Sequence, residues 1–110
     1  MTNRTCKIID GRAYTDGDTA LITDLPFEEQ QAVFKWIKNN LIHRNSPNLC
    51  YTSYGLKHIL ERDLNIYLTN NQFKDAMLMC EFFPVDHRNV NWCYFISQKS
   101  PALAISGREV

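Results

Sequence analysis

The sequence lacks the features that mark most membrane, secreted and catalytic proteins. No apolar run approaches the roughly 20 residues that a membrane-spanning helix needs, and the polar start Met1–Cys6 predicts no secretory signal. A Gly-rich phosphate loop, a His-Glu-x-x-His motif and a Gly-x-Ser-x-Gly motif are also missing. These absences predict a cytoplasmic, non-enzymatic protein that needs no cofactor.

The chain also lacks an excess of charge of either sign. Its 12 Lys and Arg residues balance 12 Asp and Glu residues, and the balance holds within residues 50–96 as well. Tight non-specific binding to DNA depends on an excess of Lys and Arg that neutralises phosphates. The composition therefore disfavours a protein that holds DNA by charge alone.

No disulfide framework or metal motif is apparent. The four cysteines are far apart and stand in apolar or strand-like surroundings, which is typical of reduced core residues. Cys80, His87 and Cys93 raise the idea of a zinc site, but their intervals match no zinc knuckle. A Cys–His nucleophile would need one particular histidine, and nothing in the sequence selects it. The acids between Asp10 and Asp18 do not follow the spacing of an EF-hand.

What the sequence does have is enough apolar material for one core. With 45% hydrophobic residues among 110, it predicts a single domain. We divide it into a β-hairpin region (1–25), a winged-helix-like core (26–97) and a loose tail (98–110). Two Asp-Gly pairs, at 10–11 and 16–17, predict the turns of the N-terminal hairpin.

Three helices are predicted in the core. Pro26 opens the first, whose apolar stripe includes Phe27 and Phe34. A polar loop closed by a proline follows at residues 43–48. Thr52 or Ser53 caps the second helix, which ends near Asn65.

The third helix begins with a capping box. The Thr69 hydroxyl is expected to accept from the Gln72 backbone, and the Gln72 side chain from the Thr69 backbone. Its apolar face consists of Phe73, Ala76, Met77 and Cys80.

A hairpin is predicted after the third helix. Aromatic and branched residues at 82–85 and 92–96 flank a polar loop at 86–91. The expected fold is therefore α+β, with an N-terminal β-hairpin, three helices and a C-terminal β-hairpin, in a winged helix-turn-helix-like order.

Part of the sequence resembles a known group of proteins. The segments Thr52–His58, Tyr67–Leu78, Phe83–Val85 and Asn91–Trp92 are similar to small uncharacterised winged-helix-like proteins of bacteriophages and mobile elements of Gram-positive bacteria. The resemblance covers about half of the chain and includes no known catalytic residue. It implies a protein that acts in the bacterial host cell as a regulator or an inhibitor of host defence, a class that includes anti-CRISPR proteins.

The third helix and the following loop supply the candidate contact residues. We predict that they point outward and bind a partner; they are Asn70, Asn71, Lys74, Asp75, Leu78, His87 and Arg88. Asn and Lys suit base edges and phosphates in DNA. Asp75 would be repelled by phosphate, and Leu78 is more typical of a protein contact. Tyr51, Tyr54 and Tyr67 suit a protein interface if exposed, although such tyrosines more often line a core.

These observations favour a non-enzymatic binding protein of a phage or mobile element. The expected partner is a host protein, such as a CRISPR nuclease. The alternative is a sequence-specific DNA-binding winged-helix regulator, which would act as a dimer because one neutral module has little affinity to spare. A thiol or zinc enzyme is the less favoured third class.

Overall fold

The computed structural model describes residues 4–104, which form an α+β fold. The α-helices of this part are α1 (Phe27–Asn40), α2 (Ser53–Leu64), α3 (Asn70–Met79) and α4 (Pro101–Ala104). Its strands are β1 (Cys6–Ile9), β2 (Arg12–Thr15), β3 (His43–Asn48) and β4 (Tyr94–Ile96), and a short 3-10 turn covers Ile22–Asp24. Within residues 4–104 no helix combines the length and the apolar character needed to cross a membrane.

The predicted N-terminal hairpin is present. β1 pairs antiparallel with β2, and Cys6 lies opposite Thr15. Asp10 and Gly11 form the two-residue connection with φ angles of 51° and 77°. Positive φ at both central positions is what a tight hairpin turn requires, and this explains why Asp-Gly predicted it correctly.

The ends of α2 and α3 follow the capping signals in the sequence. The Thr52 side chain accepts from the Gly55 N–H at the start of α2, and Asn65 ends that helix in the left-handed conformation. At the start of α3, the Gln72 N–H donates to Thr69 Oγ1 at 3.1 Å, and the Thr69 N–H donates to Gln72 Oε1 at 2.9 Å. The predicted capping box is confirmed.

The second sheet differs from the prediction. The segment His43–Asn48 was expected to be a polar loop, but it is β3 and pairs antiparallel with β4 across a register irregularity. The expected C-terminal hairpin is reduced to a bridge between Pro84 and Tyr94, with the Val85 N–H donating to the Cys93 carbonyl at 2.8 Å. β4 therefore finds its main partner in a segment that has no apolar alternation.

The predicted loose tail is wrong for the residues that the structure describes. Ser100, Ala102 and Leu103 are buried, and α4 packs against α1. The Ser100 hydroxyl also accepts a hydrogen bond from the Ile42 N–H at 2.8 Å. Residues 1–3 and 105–110, on which the predictions for the two ends partly fall, lie outside the described part.

Helix α3 occupies the centre of the molecule. Every side chain from Asn71 to Leu78 is buried, polar and charged residues included. Strand β2 of the hairpin, the 3-10 turn, α1 and α2 all pack against α3. A helix enclosed in this way holds the layers of the domain together.

Candidate functional site

The predicted outward face of α3 is wrong, because the N-terminal hairpin covers it. Asn71 and Asp75 are both 0% exposed. The Asn71 side-chain amide donates to the carbonyls of Ala13 at 3.0 Å and Ala20 at 2.8 Å. Asp75 accepts from Arg12 Nε at 2.8 Å and from the Ile22 N–H at 3.0 Å. These side chains hold the hairpin region in place and are not available to a partner in this structure.

Lys74 is also directed inward. Its Nζ donates to Thr15 Oγ1 and to the Val90 carbonyl, each at 2.8 Å, and lies 4.5 Å from the centre of the Trp92 ring. Burial lowers the pKa of Lys74 below its ordinary value. The group that was predicted to contact phosphate or guanine is therefore part of the core.

The ends of α3 correct the prediction in the same way. Asn70 is half-buried, and its amide donates to the Val90 carbonyl at 3.1 Å and to Asn91 Oδ1 at 3.0 Å. Leu78, which was expected to touch a partner, is 6% exposed and belongs to the core. Asn70 therefore fixes the start of α3 to the segment before β4.

The last two predicted contact residues do lie at the surface. His87 and Arg88 are exposed in the loop between Pro84 and β4. The Arg88 guanidinium donates to both carboxylate oxygens of Asp86 at 3.0 Å. These hydrogen bonds lower the pKa of Asp86 to about 2. The charge of Arg88 is thus matched within its own loop, and a partner role for His87 and Arg88 stays a prediction.

The cysteines and histidines do not gather into a metal site in the described part. No group of three or more His, Cys, Asp or Glu side chains within residues 4–104 has a suitable arrangement, so Cys80, His87 and Cys93 do not form one. Burial raises the pKa of the Cys80 and Cys93 thiols, and a neighbouring Cys50 adds to the effect at Cys93. Raised pKa values disfavour the thiolate that nucleophilic chemistry requires.

The surface that stands out instead lies along α2. We call it the α2 face and define it by the residues Tyr54, Gly55, Lys57, His58, Glu61, Arg62 and Tyr67. Tyr54 is 53% exposed and Tyr67 is 74% exposed. The Arg62 side chain is exposed and makes no hydrogen bond or ion pair with any residue between 4 and 104. Clustered exposed aromatic side chains of this kind are uncommon unless they bind something.

An ion pair between buried Lys57 and partly buried Glu61 lies beneath the aromatic rings of the α2 face. Lys57 Nζ lies 5.3 Å from the ring centres of both Tyr54 and Tyr67. Glu61 Oε2 accepts from Lys57 Nζ at 3.1 Å and from the Leu68 N–H at 2.9 Å. The connector after α2 is thereby held against the helix, and two cation–π contacts position the rings. An aromatic surface that is ordered before binding loses less entropy when it binds.

Two further contacts complete this arrangement. His58 Nδ1 lies 3.1 Å from Glu61 Oε1, and its ring meets the Tyr54 ring edge-on with 4.4 Å between their centres. Beside these rings an open groove runs along α2 and is lined by Gly55, His58, Ile59, Glu61, Arg62 and Asn65. A second open cavity shares Glu61 and Asn65 with this groove and is also lined by Ile66 and Tyr67. Both cavities are open to solvent.

Gly55 gives the α2 face a place of close approach. It lies in the first turn of α2, and a Cβ added there would meet nothing within 4 Å. Glycine destabilises a helix relative to alanine by roughly 0.5–1 kcal/mol. No neighbour within residues 4–104 occupies this space, so the backbone of α2 can be approached closely at this position.

The sequence contained part of this signal. The clustering of Tyr51, Tyr54 and Tyr67 pointed to a possible interface, and two of these tyrosines are exposed while Tyr51 packs at the edge of the core. Gly55 inside a predicted helix was a second signal and was missed. The sequence did not indicate that Lys57 lies between two tyrosine rings, since that depends on the path of the connector.

Comparisons with known proteins add no relative. No family model matches the chain, and neither a curated protein nor a solved structure is detectably similar to it. The geometry of the α2 face and the enclosure of α3 are therefore the basis of the function proposed below.

Proposed function

We propose that this chain is a non-enzymatic protein-binding module whose docking surface is the α2 face. The observation that carries the proposal is the joint exposure of Tyr54, Arg62 and Tyr67 over the fixed Lys57–Glu61 pair. Tyr and Arg are enriched among the few residues that dominate protein–protein binding energies. An open groove with an ordered aromatic rim suits a protein segment.

We assign the part from α1 to β4 to a winged-helix-like arrangement. In its support, β3 lies between α1 and α2 and pairs with β4, whose other edge is bridged by Pro84. A helix-turn-helix protein that reads DNA places its second helix in the major groove. Here that helix is α3, and the N-terminal hairpin covers its polar side chains. The arrangement favours a protein-binding scaffold over a DNA reader.

The partner that we propose is a protein of a bacterial host, such as a CRISPR nuclease. The chain would then be a small protein of a bacteriophage or mobile element that acts in the host cytoplasm. The resemblance described from the sequence supports this origin. The zero net charge supports a protein partner, because it supplies no excess of Lys and Arg for a phosphate backbone. Occupying a surface of the partner requires no active site.

The first test identifies the partner and then measures its affinity for matched variants. We expect the partner captured from a Gram-positive host lysate, once purified, to bind Tyr67→Ala or Arg62→Ala at least roughly tenfold more weakly than the wild type. Phe27→Ala is the control, because Phe27 is an equally exposed aromatic residue, at 69%, on α1. Its affinity should stay within about twofold of the wild type.

A second variant separates binding from stability. Gly55→Ala should raise the free energy of unfolding by roughly 0.5–1 kcal/mol, because alanine is the better helix former and has room there. The same variant should bind the partner more weakly, since the methyl group obstructs close approach. A more stable Gly55→Ala protein with unchanged affinity would contradict the proposed contact at this position.

DNA binding is the outcome that would overturn the proposal. Selective binding to an operator fragment at physiological salt, with a steep loss of affinity as salt rises, would identify the chain as a DNA-binding regulator. If a purified host partner bound all α2 face variants as tightly as the wild type, the α2 face would not be the docking surface.

A further inference from the structure

The groove along α2 ends at two hydrogen-bond donors that have no partner in the described part. The Arg62 guanidinium and the side-chain amide of Asn65 both line this groove, and both side chains are exposed. Neither makes a side-chain hydrogen bond or an ion pair with any residue from 4 to 104. Two unengaged donor groups therefore border the same open space.

Glu61 lines the same groove, but its charge is already matched. Its Oε2 accepts from Lys57 Nζ at 3.1 Å and from the Leu68 N–H at 2.9 Å. Its Oε1 lies 3.1 Å from His58 Nδ1. Both oxygens of this carboxylate have partners, and its negative charge is paired with Lys57 and not with Arg62.

The other acid next to Arg62 in the sequence belongs to a different contact. Asp63 Oδ2 accepts from Trp36 Nε1 at 2.8 Å, where α2 meets α1. Side chains three and four positions apart on a helix are neighbours, and the residues at these distances from Arg62, at 58, 59, 65 and 66, include no acid. The groove therefore has one positive charge in excess, and a carboxylate is the group that complements it.

The geometry favours a carboxylate of a peptide segment over a nucleic acid. A guanidinium binds a carboxylate through two parallel hydrogen bonds, and the Asn65 amide supplies a further donor beside Arg62. Binding to a nucleic acid depends on several cations along the phosphate backbone, whereas the groove has a single unmatched one. Because the groove is open to solvent, a chain has room to pass along it, which favours a side-chain carboxylate over a chain terminus.

An apolar surface lies beside the two donors. The second cavity shares Asn65 with the groove and is also lined by Ile66 and Tyr67. Tyr67 is 74% exposed, and Ile66 packs on the core with part of its side chain uncovered. An apolar side chain placed here excludes water from a neighbouring ion pair, which strengthens that pair.

We propose that the segment bound by the α2 face contains an acidic residue next to an apolar one. The carboxylate accepts hydrogen bonds from the Arg62 guanidinium and the Asn65 amide, and the apolar side chain packs on Ile66 and Tyr67. This inference rests on the function proposed for the α2 face and specifies the chemistry of the segment that docks there.

The test measures the binding of three peptides, blocked at both ends, to the full chain labelled with 15N. Their sequence is Gly-Leu-X-Leu-Gly, in which X is Glu, Gln or Lys. The Glu peptide should bind about fivefold more tightly than the Gln peptide, which is the upper range for one exposed ion pair, and the Lys peptide should bind most weakly. The backbone amide signals of Arg62, Asn65 and Tyr67 should shift on binding.

Variants of the two donors make the test specific. Arg62→Glu should reverse the preference, so that the Lys peptide binds more tightly than the Glu peptide. Lys35→Glu changes the net charge equally at an exposed position on α1 and should leave the preference unchanged. Asn65 has a φ of 57°, so Asn65→Gly removes the amide without straining the backbone. It should bind the Glu peptide at least about twofold more weakly.

Three results would overturn the inference. The first is no binding of the Glu peptide at millimolar concentration, and the second is equal affinity for the Glu and Gln peptides. The third is tighter binding of a single-stranded oligothymidine than of the Glu peptide, with shifts at Arg62 and Asn65, because the bound anion would then be phosphate.

The host partner distinguishes a failure of this inference from a failure of the docking function. If Tyr67→Ala weakens binding of the partner while the Glu and Gln peptides bind equally, the α2 face is a docking surface and the acidic segment is wrong. If neither Tyr67→Ala nor Arg62→Ala affects the partner, the docking function is wrong, and the inference that rests on it is overturned as well.

Discussion

Lys74 places an amino group inside the core. Its side chain is fully buried, and burial lowers its pKa from the ordinary value of 10.5. In the unfolded chain the amino group regains its ordinary pKa and so binds its proton more strongly. Between the two pKa values unfolding takes up a proton, and the free energy of unfolding rises with pH because of this residue.

The variant Lys74→Met tests this linkage. After the substitution, the Thr15 hydroxyl is still bonded to Asn71 and the Val90 carbonyl to Asn70. Neither group is therefore left without a hydrogen bond. As the pH rises from about 7 to about 10, the free energy of unfolding of the wild type should increase relative to that of Lys74→Met. Urea unfolding at a series of pH values measures it. In the control variant Lys35→Met, at an exposed position, the free energy of unfolding should depend on pH as it does in the wild type.

The hydroxyl of Tyr94, unlike the amino group of Lys74, is buried without a hydrogen bond to any of the described residues. Because an unpaired buried hydroxyl costs free energy, Tyr94→Phe should raise the free energy of unfolding by about 1 kcal/mol. The edge-on contact with the Trp92 ring is kept. A lower thermal midpoint in Tyr94→Phe would show that the hydroxyl is satisfied in solution.

Tyr94 also predicts a loss of stability at high pH. Burial raises the pKa of its phenol well above 10.0, so the unfolded chain loses this proton first. The free energy of unfolding should therefore fall as the pH rises through the unfolded pKa, and less so in Tyr94→Phe. Comparing the two proteins at alkaline pH isolates this effect from that of Lys74, which has the opposite sign.

Among the elements, α3 is joined to its neighbours by buried polar contacts. The Asp75 carboxylate accepts two hydrogen bonds from Arg12, at 2.8 and 2.7 Å, and one from the Ile22 N–H. These bonds raise the pKa of Arg12. Asp75→Ala leaves buried donors unpaired and should lower the free energy of unfolding by about 3 kcal/mol. Chemical denaturation measures the loss.

Two controls show whether the pairing itself is responsible. Asp86→Ala breaks an exposed pair with Arg88 and should change stability little. The double variant Arg12→Ala with Asp75→Ala should be less destabilised than the sum of its single variants, because each removes the same interaction. Additive losses would contradict a direct coupling between Arg12 and Asp75.

Local signals predicted the elements that local chemistry determines. The turn at Asp10-Gly11, the cap at Thr52 and the capping box at Thr69 are all contained within a few residues, and all are confirmed. β3 was missed because His43–Asn48 has no apolar alternation and contains a proline. Its strand conformation depends on β4, which is about 50 residues away in the sequence. Pairing over such a distance leaves no mark in local propensity.

The contact residues could be predicted only in part, for a similar reason. Asn71, Lys74 and Asp75 alternate with apolar residues on α3, which usually indicates a solvent-facing side. The pattern was misleading because these side chains meet the backbone of the N-terminal hairpin and the loop before Trp92. Periodicity separates polar from apolar positions. It does not distinguish a polar side chain in water from one bonded to another element.

At the scale of the whole molecule, the N-terminal hairpin is an integral layer of the fold. Arg12 and Asp75 join segments 63 positions apart. Together with the buried contacts of Ala13, they connect β2 to the centre of the core. The hairpin region and the remainder should therefore unfold as one cooperative unit, as small domains usually do.

A distant reporter tests this cooperativity. The chain has two tryptophans, and Trp92→Phe leaves Trp36 on α1, where its indole N–H donates to Asp63 at 2.8 Å. In that background, Asp75→Ala should lower the denaturation midpoint by the same amount whether unfolding is followed by Trp36 fluorescence or by far-UV circular dichroism. If the Trp36 transition did not move while part of the dichroism was lost earlier, the hairpin would be a separate arm. The alternating polar side chains of α3 would then be available to a partner after all.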